Sequence, residues 1–231
     1  MTPIRTPIEL VVCDIAGTTL NDPDGVNRCV REALEQAGLA TTVEAVNSVM
    51  GIPKPEAIRQ LIERSGRHQA LLSQIDAIHA DFVARMLRFY QSDPSVFEIP
   101  GTSEAFRRMK QAGIKVALDT GFSRTITQVI LERIGWQRAG LVDATVTSDE
   151  VRRGRPHPDM IQLLMHKFDI GDPRRVAKVG DTPSDLEEGA SAGCGVVVGV
   201  TQGSHTAVQL REYPHTHLIG TVAELPALLG V

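Results

Sequence analysis

The chain has 231 residues, of which 42% are hydrophobic and 23% are charged, a composition and length that suit a globular catalytic domain with an insertion. Its 24 basic and 28 acidic residues give a net charge of −4, which argues against nucleic acid or an anionic membrane as a partner. Three cysteines do not make a disulfide framework, no apolar run could span a bilayer, and no signal peptide is recognisable, so the expected compartment is the cytoplasm.

The first feature along the chain is a short apolar run, Leu10–Cys13, which predicts a buried strand. It ends at Asp14, and a turn of small residues at 16–19 follows. An acid at the carboxyl end of a parallel strand lies where open α/β sheets place their chemistry, and the turn could direct backbone N–H groups at a phosphate. Asp14 is therefore a candidate nucleophile, although an aspartate that caps a turn has the same pattern.

Residues 22–95 have helical patterns and no strand pattern. The expected helices are 26–37, 43–50, 55–64 and 69–90. Pro55 suits the first position of the third helix because its ring fixes a helical φ. This stretch is predicted to be an all-helical cap inserted after the first strand.

From Pro94 onward, helix and strand patterns alternate. Strands are expected at 114–119, 142–147, 175–179, 195–200 and 217–219, and helices at 102–111, 123–134, 158–168, 184–192 and 222–229. This alternation predicts an α/β fold with a parallel sheet and helices on both faces. The predicted domains are a core of residues 1–21 and 96–231 and a helical cap of residues 22–95.

Three further candidate sites follow predicted strands. Thr120 and Gly121 precede a helix, where a hydroxyl and a backbone N–H suit a phosphate oxygen, although a simple helix cap is the alternative. Arg155 lies in a proline-rich turn and could neutralise a phosphate or the nucleophile. Asp181 and Asp185, at a strand end and in the first turn of a helix, suit a hard cation such as Mg²⁺, with an N-cap as the alternative.

These residues occur in the order Asp, Thr, basic residue, Asp, each at or just after the end of a predicted strand. The arrangement resembles the haloacid dehalogenase superfamily of aspartate-nucleophile hydrolases over nearly the whole chain, including the inserted helical cap. The resemblance implies that Asp14 is the nucleophile. It also implies that Mg²⁺ is held by Asp14, the Ala16 carbonyl and Asp181, while Asp185 orients a metal-bound water. The phosphorus group of the substrate would be bound by Thr120, Gly121 and Arg155.

Two departures from the usual phosphatase pattern favour the phosphonatase branch of this superfamily. Ala16 stands where phosphatases usually have a second aspartate, the acid that protonates an alcohol leaving group, and Arg155 stands where lysine is usual. Loss of that acid should cost much of the ~10²–10⁴-fold gain of general acid catalysis. Phosphonatases, whose first motif is Asp-x-Ala-Gly-Thr, cleave a carbon–phosphorus bond and need no acid there.

The cap segment 50–54, MGIPK, resembles the phosphonatase segment whose lysine forms a Schiff base with the substrate. The resemblance implies this role for Lys54 and places Met50 in the substrate site. The predicted position of Lys54 at a helix start also favours the free amine, because the helix dipole disfavours an ammonium. The branch has a histidine three residues after the lysine, which is Ala57 here, and nothing in the sequence places His68 or His79 at the site.

The expected activity is hydrolysis of the C–P bond of phosphonoacetaldehyde or a related 2-oxo-phosphonate, through an aspartyl-phosphate and a Schiff base. The alternative is a phosphatase for a small phosphorylated metabolite, similar to phosphoglycolate phosphatase, which would need an acid from the cap. A metal-free 2-haloacid dehalogenase and a non-catalytic binding protein also remain open. By analogy with the branch, a homodimer through the cap is expected.

Overall fold

The computed structural model describes residues 6–66 and 69–231 and is built around a six-stranded parallel sheet. The strands are β1 (Leu10–Cys13), β2 (Lys115–Thr120), β3 (Ala144–Thr147), β4 (Val176–Gly180), β5 (Val196–Val200) and β6 (His217–Ile219). Their order across the sheet is β3-β2-β1-β4-β5-β6. Every strand begins and ends within two residues of its predicted bounds, because each is a short apolar run between turn signals.

The first strand lies in the interior of the sheet, where it pairs with β2 on one side and β4 on the other. Cys13 is in register with Leu118 of β2 and with Val179 of β4. Since all three strands run in the same direction, the residues that follow them emerge at one edge of the sheet. Asp14 therefore lies between the ends of β2 and β4.

Helices cover both faces of the sheet, which confirms the predicted α/β architecture. Alternate residues of β1 face opposite sides, so that Val11 packs in a cluster with Phe106, while Val12 packs in another with Met160 and Leu164. The helices are α1 (Gly25–Gln36), α2 (Val43–Asn47), α3 (Lys54–Ser65), α4 (Ile75–Ser92), α5 (Thr102–Gln111), α6 (Arg124–Ile134), α7 (Asp159–Lys167), α8 (Pro183–Ala192), α9 (Ala207–Leu210) and α10 (Leu225–Leu229).

Between residues 25 and 92 the described elements are all helical. The predicted helix 69–90 is divided into a 3₁₀ segment, Gln69–Gln74, and α4. The predicted helix 43–50 ends at Asn47, so Met50 lies in a turn between α2 and α3. His68 lies outside the described residues, and the division into two domains stays a prediction.

Two C-terminal details differ from the sequence prediction. The short helix α9 was missed because four residues carry too little periodicity, although the Thr206 side chain accepts a hydrogen bond from the Gln209 N–H as a cap. The predicted helix 222–229 begins as a 3₁₀ turn. Within the described residues, no helix combines the length and the apolarity that crossing a membrane would require.

The chain enters and leaves the helical block, residues 22–96, at neighbouring positions. The Asn21 N–H donates to the Phe97 carbonyl, and the Ile99 N–H donates to the Thr19 carbonyl, both at 2.9 Å. The Asn21 side chain adds a bond to the Ser95 carbonyl at 2.7 Å. The outgoing and returning segments are thus hydrogen-bonded to each other beside Asp14.

Candidate active site

A cavity of about 350 Å³ lies at the carboxyl edge of the sheet, between the strand ends and the helical block. It has contributions from both parts of the chain, because the loop before α3 reaches over the ends of β2 and β4. Of the predicted site residues, Asp185 does not line it. The others do: Asp14, Ala16, Met50, Lys54, Thr120, Gly121, Arg155 and Asp181.

Asp14 is buried at the end of β1, where its N–H donates to the Val179 carbonyl at 2.9 Å. The turn after it is tight because Gly17 adopts φ +89°, which favours glycine. Burial raises the pKa of Asp14 to about 7, with the Arg155 guanidinium opposing the rise and Asp185 adding to it. The carboxylate thus faces a cavity from which water is partly excluded, a setting that suits a nucleophile.

Arg155 holds Asp14 through a direct ion pair. Its Nη1 lies 2.6 Å from Asp14 Oδ1 and 2.9 Å from Asp185 Oδ1, and its Nη2 donates to the Asp119 carbonyl at 2.9 Å. Its Nε donates to Glu188 Oε2 at 3.0 Å. Burial alone would lower the pKa of Arg155, but the surrounding carboxylates hold it well above its usual range. Of the two predicted roles, the contacts favour neutralisation of the nucleophile over direct phosphate binding.

A second buried cation, Lys178 of β4, was missed by the sequence analysis. Its Nζ contacts Asp119 and lies 2.9 Å from Glu188 Oε2 and 3.2 Å from Asp185 Oδ1. Burial would lower its pKa, but the carboxylates hold it above its usual range. A lysine inside the apolar run of β4 and an aspartate inside that of β2 were the available signals, because charges in buried strands require partners.

The acids around Arg155 come close enough together to hold a metal ion. Oxygen atoms of Asp14, Asp119 and Asp185 lie within 4.8 Å of one another. The Arg155 guanidinium contacts all three carboxylates, so a cationic side chain already bridges them. This cluster was not the predicted ligand set, which named Asp181 in place of Asp119.

Asp181 lies at the end of β4 on the cavity side of the cluster. It accepts hydrogen bonds from Thr18 Oγ1 at 3.0 Å and from the N–H and hydroxyl of Ser204 at 2.6 and 2.8 Å. Burial, reinforced by the Asp185 charge, raises the pKa of Asp181 to about 6. Within the described residues this carboxylate has no cationic side chain as a partner, which distinguishes it from Asp14 and Asp185.

Asp185 lies below the cavity, and both of its carboxylate oxygens have partners in the protein. Its Oδ2 accepts from the Thr182 N–H at 3.1 Å and the Thr182 hydroxyl at 2.5 Å, which completes a capping box at the start of α8. Its Oδ1 is paired with Arg155 and Lys178. The N-cap interpretation left open by the sequence therefore describes part of its environment, and its contacts position Arg155.

Thr120 and Gly121 lie at the end of β2, directly below the loop that carries Lys54. Thr120 Oγ1 accepts from the Phe122 N–H at 3.2 Å. A Cβ at Gly121 would lie 2.9 Å from the Gly51 carbonyl oxygen, and one at Gly154 would lie 2.5 Å from Pro53 Cγ. The loop therefore approaches the core at glycines, and this close approach holds Lys54 over the strand ends.

Lys54 is the first residue of α3 and only 5% exposed. Its Nζ donates to the Ile52 carbonyl at 3.2 Å and lies 5.6 Å from the Phe122 ring centroid. Burial lowers the pKa of Lys54 to about 8, with Asp14 opposing the change and Arg155 adding to it. The direction agrees with the expectation from the helix start, but loss of solvation is the main cause. No carboxylate in the described residues forms an ion pair with this amine.

No histidine is among the described residues that line the cavity with Lys54. Ala57 is buried one turn along α3. His79 lies on α4, half-buried and stacked near Phe82, and it is not among the residues that line the cavity. Burial lowers the pKa of His79, with a smaller contribution from the Lys54 charge.

Asp22 is an acid in the cavity that the sequence analysis treated only as part of a turn. Its Oδ2 accepts from the Tyr90 hydroxyl at 2.5 Å, and its Oδ1 accepts from the Val26 N–H at 3.2 Å. Burial raises the pKa of Asp22, while these hydrogen bonds oppose the rise. No sequence signal links Asp22 to Tyr90, because the two residues are brought together only by the packing of α1 on α4.

The chain is similar to known proteins in both sequence and fold. The family model of haloacid dehalogenase-like hydrolases matches residues 8–193. A phosphonoacetaldehyde hydrolase from Bordetella avium is 30% identical over 262 residues, covering 99% of this chain and 91% of the relative. A crystal structure of a phosphonoacetaldehyde hydrolase-like protein from Oleispira antarctica has a TM-score of 0.84 at 25% identity, covering 97% of this chain and 92% of that one.

The same fold also occurs in proteins described with another activity. A protein described as a phosphoglycolate phosphatase from Lactobacillus delbrueckii subsp. bulgaricus has a TM-score of 0.79 at 19% identity, covering 98% of this chain and 100% of that one. That identity supports the fold alone. Taken with the family match over most of its length, the parallel sheet and the acids at its carboxyl edge, this chain belongs to the haloacid dehalogenase-like hydrolases.

Proposed function

We propose that this protein hydrolyses the carbon–phosphorus bond of phosphonoacetaldehyde or a related 2-oxo-phosphonate. The observation that carries the proposal is Lys54, a buried amine with a pKa of about 8 and no described carboxylate partner, in the same cavity as Asp14. A free amine is the form that condenses with a carbonyl. Ala16 supports the same conclusion, because it leaves no acid two residues after the nucleophile.

The first half of the reaction joins both residues to the substrate. The Lys54 amine adds to the carbonyl carbon, and loss of water leaves a protonated imine. An Asp14 oxygen then attacks phosphorus, the C–P bond breaks, and its electron pair moves into the imine to give a neutral enamine. The leaving carbon thus never becomes a free carbanion, so no general acid at position 16 is needed.

The second half returns both residues to their starting states. The enamine takes up a proton at carbon to become an imine again, and water releases the aldehyde or ketone from Lys54. Another water hydrolyses the aspartyl-phosphate and releases phosphate. Arg155 contacts Asp14 in the free protein, and this positive charge would favour the carboxylate as the leaving group.

Mg²⁺ fits the donors that face the cavity. Asp181 is a buried carboxylate with no cationic side chain beside it in the described part of the chain, and such a group favours a bound cation. Asp14, the Ala16 carbonyl and Asp181 would hold the ion. When bound, it would offset the repulsion between the anionic nucleophile and an anionic phosphonate.

Borohydride trapping tests the proposal most directly. Protein incubated with phosphonoacetaldehyde and reduced should show a mass increase confined to the peptide that contains Lys54, and none when substrate is omitted. Lys54→Arg keeps the positive charge but cannot form the imine, so it should neither trap nor cleave. Lys115→Ala, at an exposed position, is the matched control. Full C–P cleavage by Lys54→Ala would reject the proposal.

A small-molecule phosphatase is the second candidate, and Asp22 is the observation in its favour. A phosphatase of this fold without an acid at position 16 needs one from the helical block, and Asp22 lines the cavity with a raised pKa. Phosphoglycolate and a sugar phosphate test this candidate better than p-nitrophenyl phosphate, whose leaving group barely requires protonation. Hydrolysis of either that survives Lys54→Ala and is lost in Asp22→Asn would favour it.

A further inference from the structure

The part of the cavity that Asp22 lines has hydrogen-bonding groups and, among the described lining residues, no cation other than Lys54 and Arg155. Asn27 and Asn47 line the cavity with Asp22, and Asn27 Nδ2 donates a hydrogen bond of 2.7 Å to Asn47 Oδ1. Arg31 lies behind them, where it is engaged by Asn27 Oδ1 at 2.7 Å and Asp24 at 3.1 Å. In the described cavity lining, the cationic side chains are therefore Lys54 and Arg155.

Neither of these cations is available to a second anionic group on the substrate. The N–H groups of Arg155 are directed at Asp14, Asp119, Asp185 and Glu188. Under the proposed function, Lys54 forms an imine with the substrate carbonyl and is not free to pair with a second anion. A substrate carboxylate in this part of the cavity would face the Asp22 carboxylate instead of a cation, an unfavourable arrangement in a partly buried site.

Asp22 is held in place as an acceptor. Its Oδ2 accepts a hydrogen bond from Tyr90 and its Oδ1 accepts one from the Val26 N–H, and the Gly25 N–H also interacts with the carboxylate. A carboxylate has about four acceptor sites, so others remain for a donor in the cavity. Tyr90 itself is fully buried and packs edge-on against Phe122, with ring centroids 5.8 Å apart. Asp22 is therefore oriented toward the cavity by groups that pack around Lys54.

The volume of the cavity also allows a substrate that is larger than phosphonoacetaldehyde. The cavity of about 350 Å³ falls within the ~300–1,000 Å³ typical of pockets for larger ligands. A substituent beyond the carbonyl therefore has room in this cavity. Asp22 and Lys54 both line it, and the Asp22 charge acts on Lys54.

We infer that Asp22 is a specificity-determining residue that binds a hydroxyl or amino group on the carbon beyond the carbonyl. The preferred substrates are then 2-oxo-phosphonates with a hydrogen-bond donor on the carbon beyond the carbonyl, and a carboxylate at that position is disfavoured. This inference rests on the proposed function, because it uses Lys54 to place the carbonyl. Because the acceptor is charged, we expect a preference of roughly tenfold, which corresponds to about 1.4 kcal/mol.

The test compares three ketones that differ only at the carbon beyond the carbonyl, which is a methyl, a hydroxymethyl or a carboxylate group. They are 2-oxopropylphosphonate, 3-hydroxy-2-oxopropylphosphonate and 3-phosphonopyruvate. Phosphate release should show a kcat/KM about tenfold higher for the hydroxyl compound than for the methyl compound, and lowest for the carboxylate. Asp22→Asn removes the charge but keeps one acceptor oxygen, so it should lower the hydroxyl-to-methyl ratio and improve the carboxylate relative to the methyl compound. Tyr90→Phe, which keeps the ring but not the donor, should reduce the ratio in part.

Asp76→Asn makes the same chemical change at an exposed position of α4 and should leave the ratio unchanged. A ratio near one in the unaltered protein, or a ratio insensitive to both Asp22→Asn and Tyr90→Phe, would overturn the inference while C–P cleavage itself stood. Release of phosphate from none of the ketones and none from phosphonoacetaldehyde would instead overturn the proposed function, and this inference with it.

Discussion

The Lys54 amine lies over the ring of Phe122, 5.6 Å from its centroid, and its hydrogen-bond partner is the neutral carbonyl of Ile52. A ring face and a carbonyl stabilise an ammonium only modestly. A carboxylate partner in the same position would raise the pKa and keep the amine protonated. The environment of Lys54 thus favours a nucleophilic amine, and two predictions follow from it.

The first prediction concerns pH. The pKa of Lys54 is lowered to about 8 from an ordinary value of 10.5, so the free amine increases as the pH rises through about 8. The rate of borohydride trapping by phosphonoacetaldehyde at low substrate concentration should rise with pH and level off above that point. The adduct at Lys54 can be quantified by mass spectrometry from pH 6 to 10. A rate that keeps rising to pH 10 without a plateau would contradict the lowered pKa.

The second prediction is that Lys54→Met stabilises the fold while abolishing C–P cleavage. The folded-state pKa lies below the unfolded one, so the buried ammonium destabilises the fold fully below pH 8, and this cost disappears as the pH rises toward 10.5. The free energy of unfolding at pH 7 should increase by about 1–3 kcal/mol. Urea denaturation at pH 7 and 10 measures it. An equal gain at both values would show that packing, not charge, is responsible.

The third prediction concerns the buried charges below the nucleophile. Lys178→Met leaves Asp119 and Glu188 without one of their two cations and should destabilise the fold by about 3–5 kcal/mol. Glu188→Gln in the same chain should recover part of this loss. Lys110→Met, which breaks a partly exposed pair with Asp143, should cost under ~1 kcal/mol. Similar losses for the two lysine variants, measured by urea denaturation, would argue against a buried network.

The fourth prediction tests the contact between the Lys54 loop and the core. Gly154→Ala introduces a Cβ that would lie 2.5 Å from Pro53 Cγ, so the loop must move away from the strand ends. We expect kcat/KM for C–P cleavage to fall by roughly 10²-fold, because small displacements of reacting groups are costly. Gly171→Ala, where a Cβ meets nothing within 4 Å, is the control. Activity within twofold of the unaltered protein in both variants would contradict the view that this contact positions Lys54.

The fifth prediction is that Ala16→Asp favours hydrolysis of a phosphate ester over cleavage of the C–P bond. Ala16→Asp places an acid two residues after the nucleophile, on the cavity wall. Hydrolysis of a sugar phosphate should increase by about 10²-fold, while cleavage of phosphonoacetaldehyde should not improve, since the enamine needs no such acid. Parallel assays of phosphate release provide the ratio. An equal increase for both substrates would indicate a general effect on the site.

The sequence predicted those parts of the site that depend on one strand and the residue after it. Asp14, Thr120 and Asp181 each follow a buried run, and parallel pairing brings such residues to one edge of the sheet. The prediction was incomplete where a residue depends on partners from other elements. Lys178 was missed because its pairing with Asp119 and Glu188 depends on sheet register and on the packing of α8. Asp22 was treated as a turn residue because its contact with Tyr90 exists only after α1 and α4 pack.

The paired backbone segments at Asn21 and Phe97 have a consequence for how such proteins diversify. Because the two ends of the helical block are joined by hydrogen bonds of 2.9 Å, a change in the length of this block does not by itself separate β1 from the segment that follows the block. The block contributes Lys54 and Asp22 to the cavity, whereas Asp14, Arg155 and Asp181 come from outside it. Substitutions within the block would therefore change the groups around Lys54 and leave the residues around Asp14 as they are.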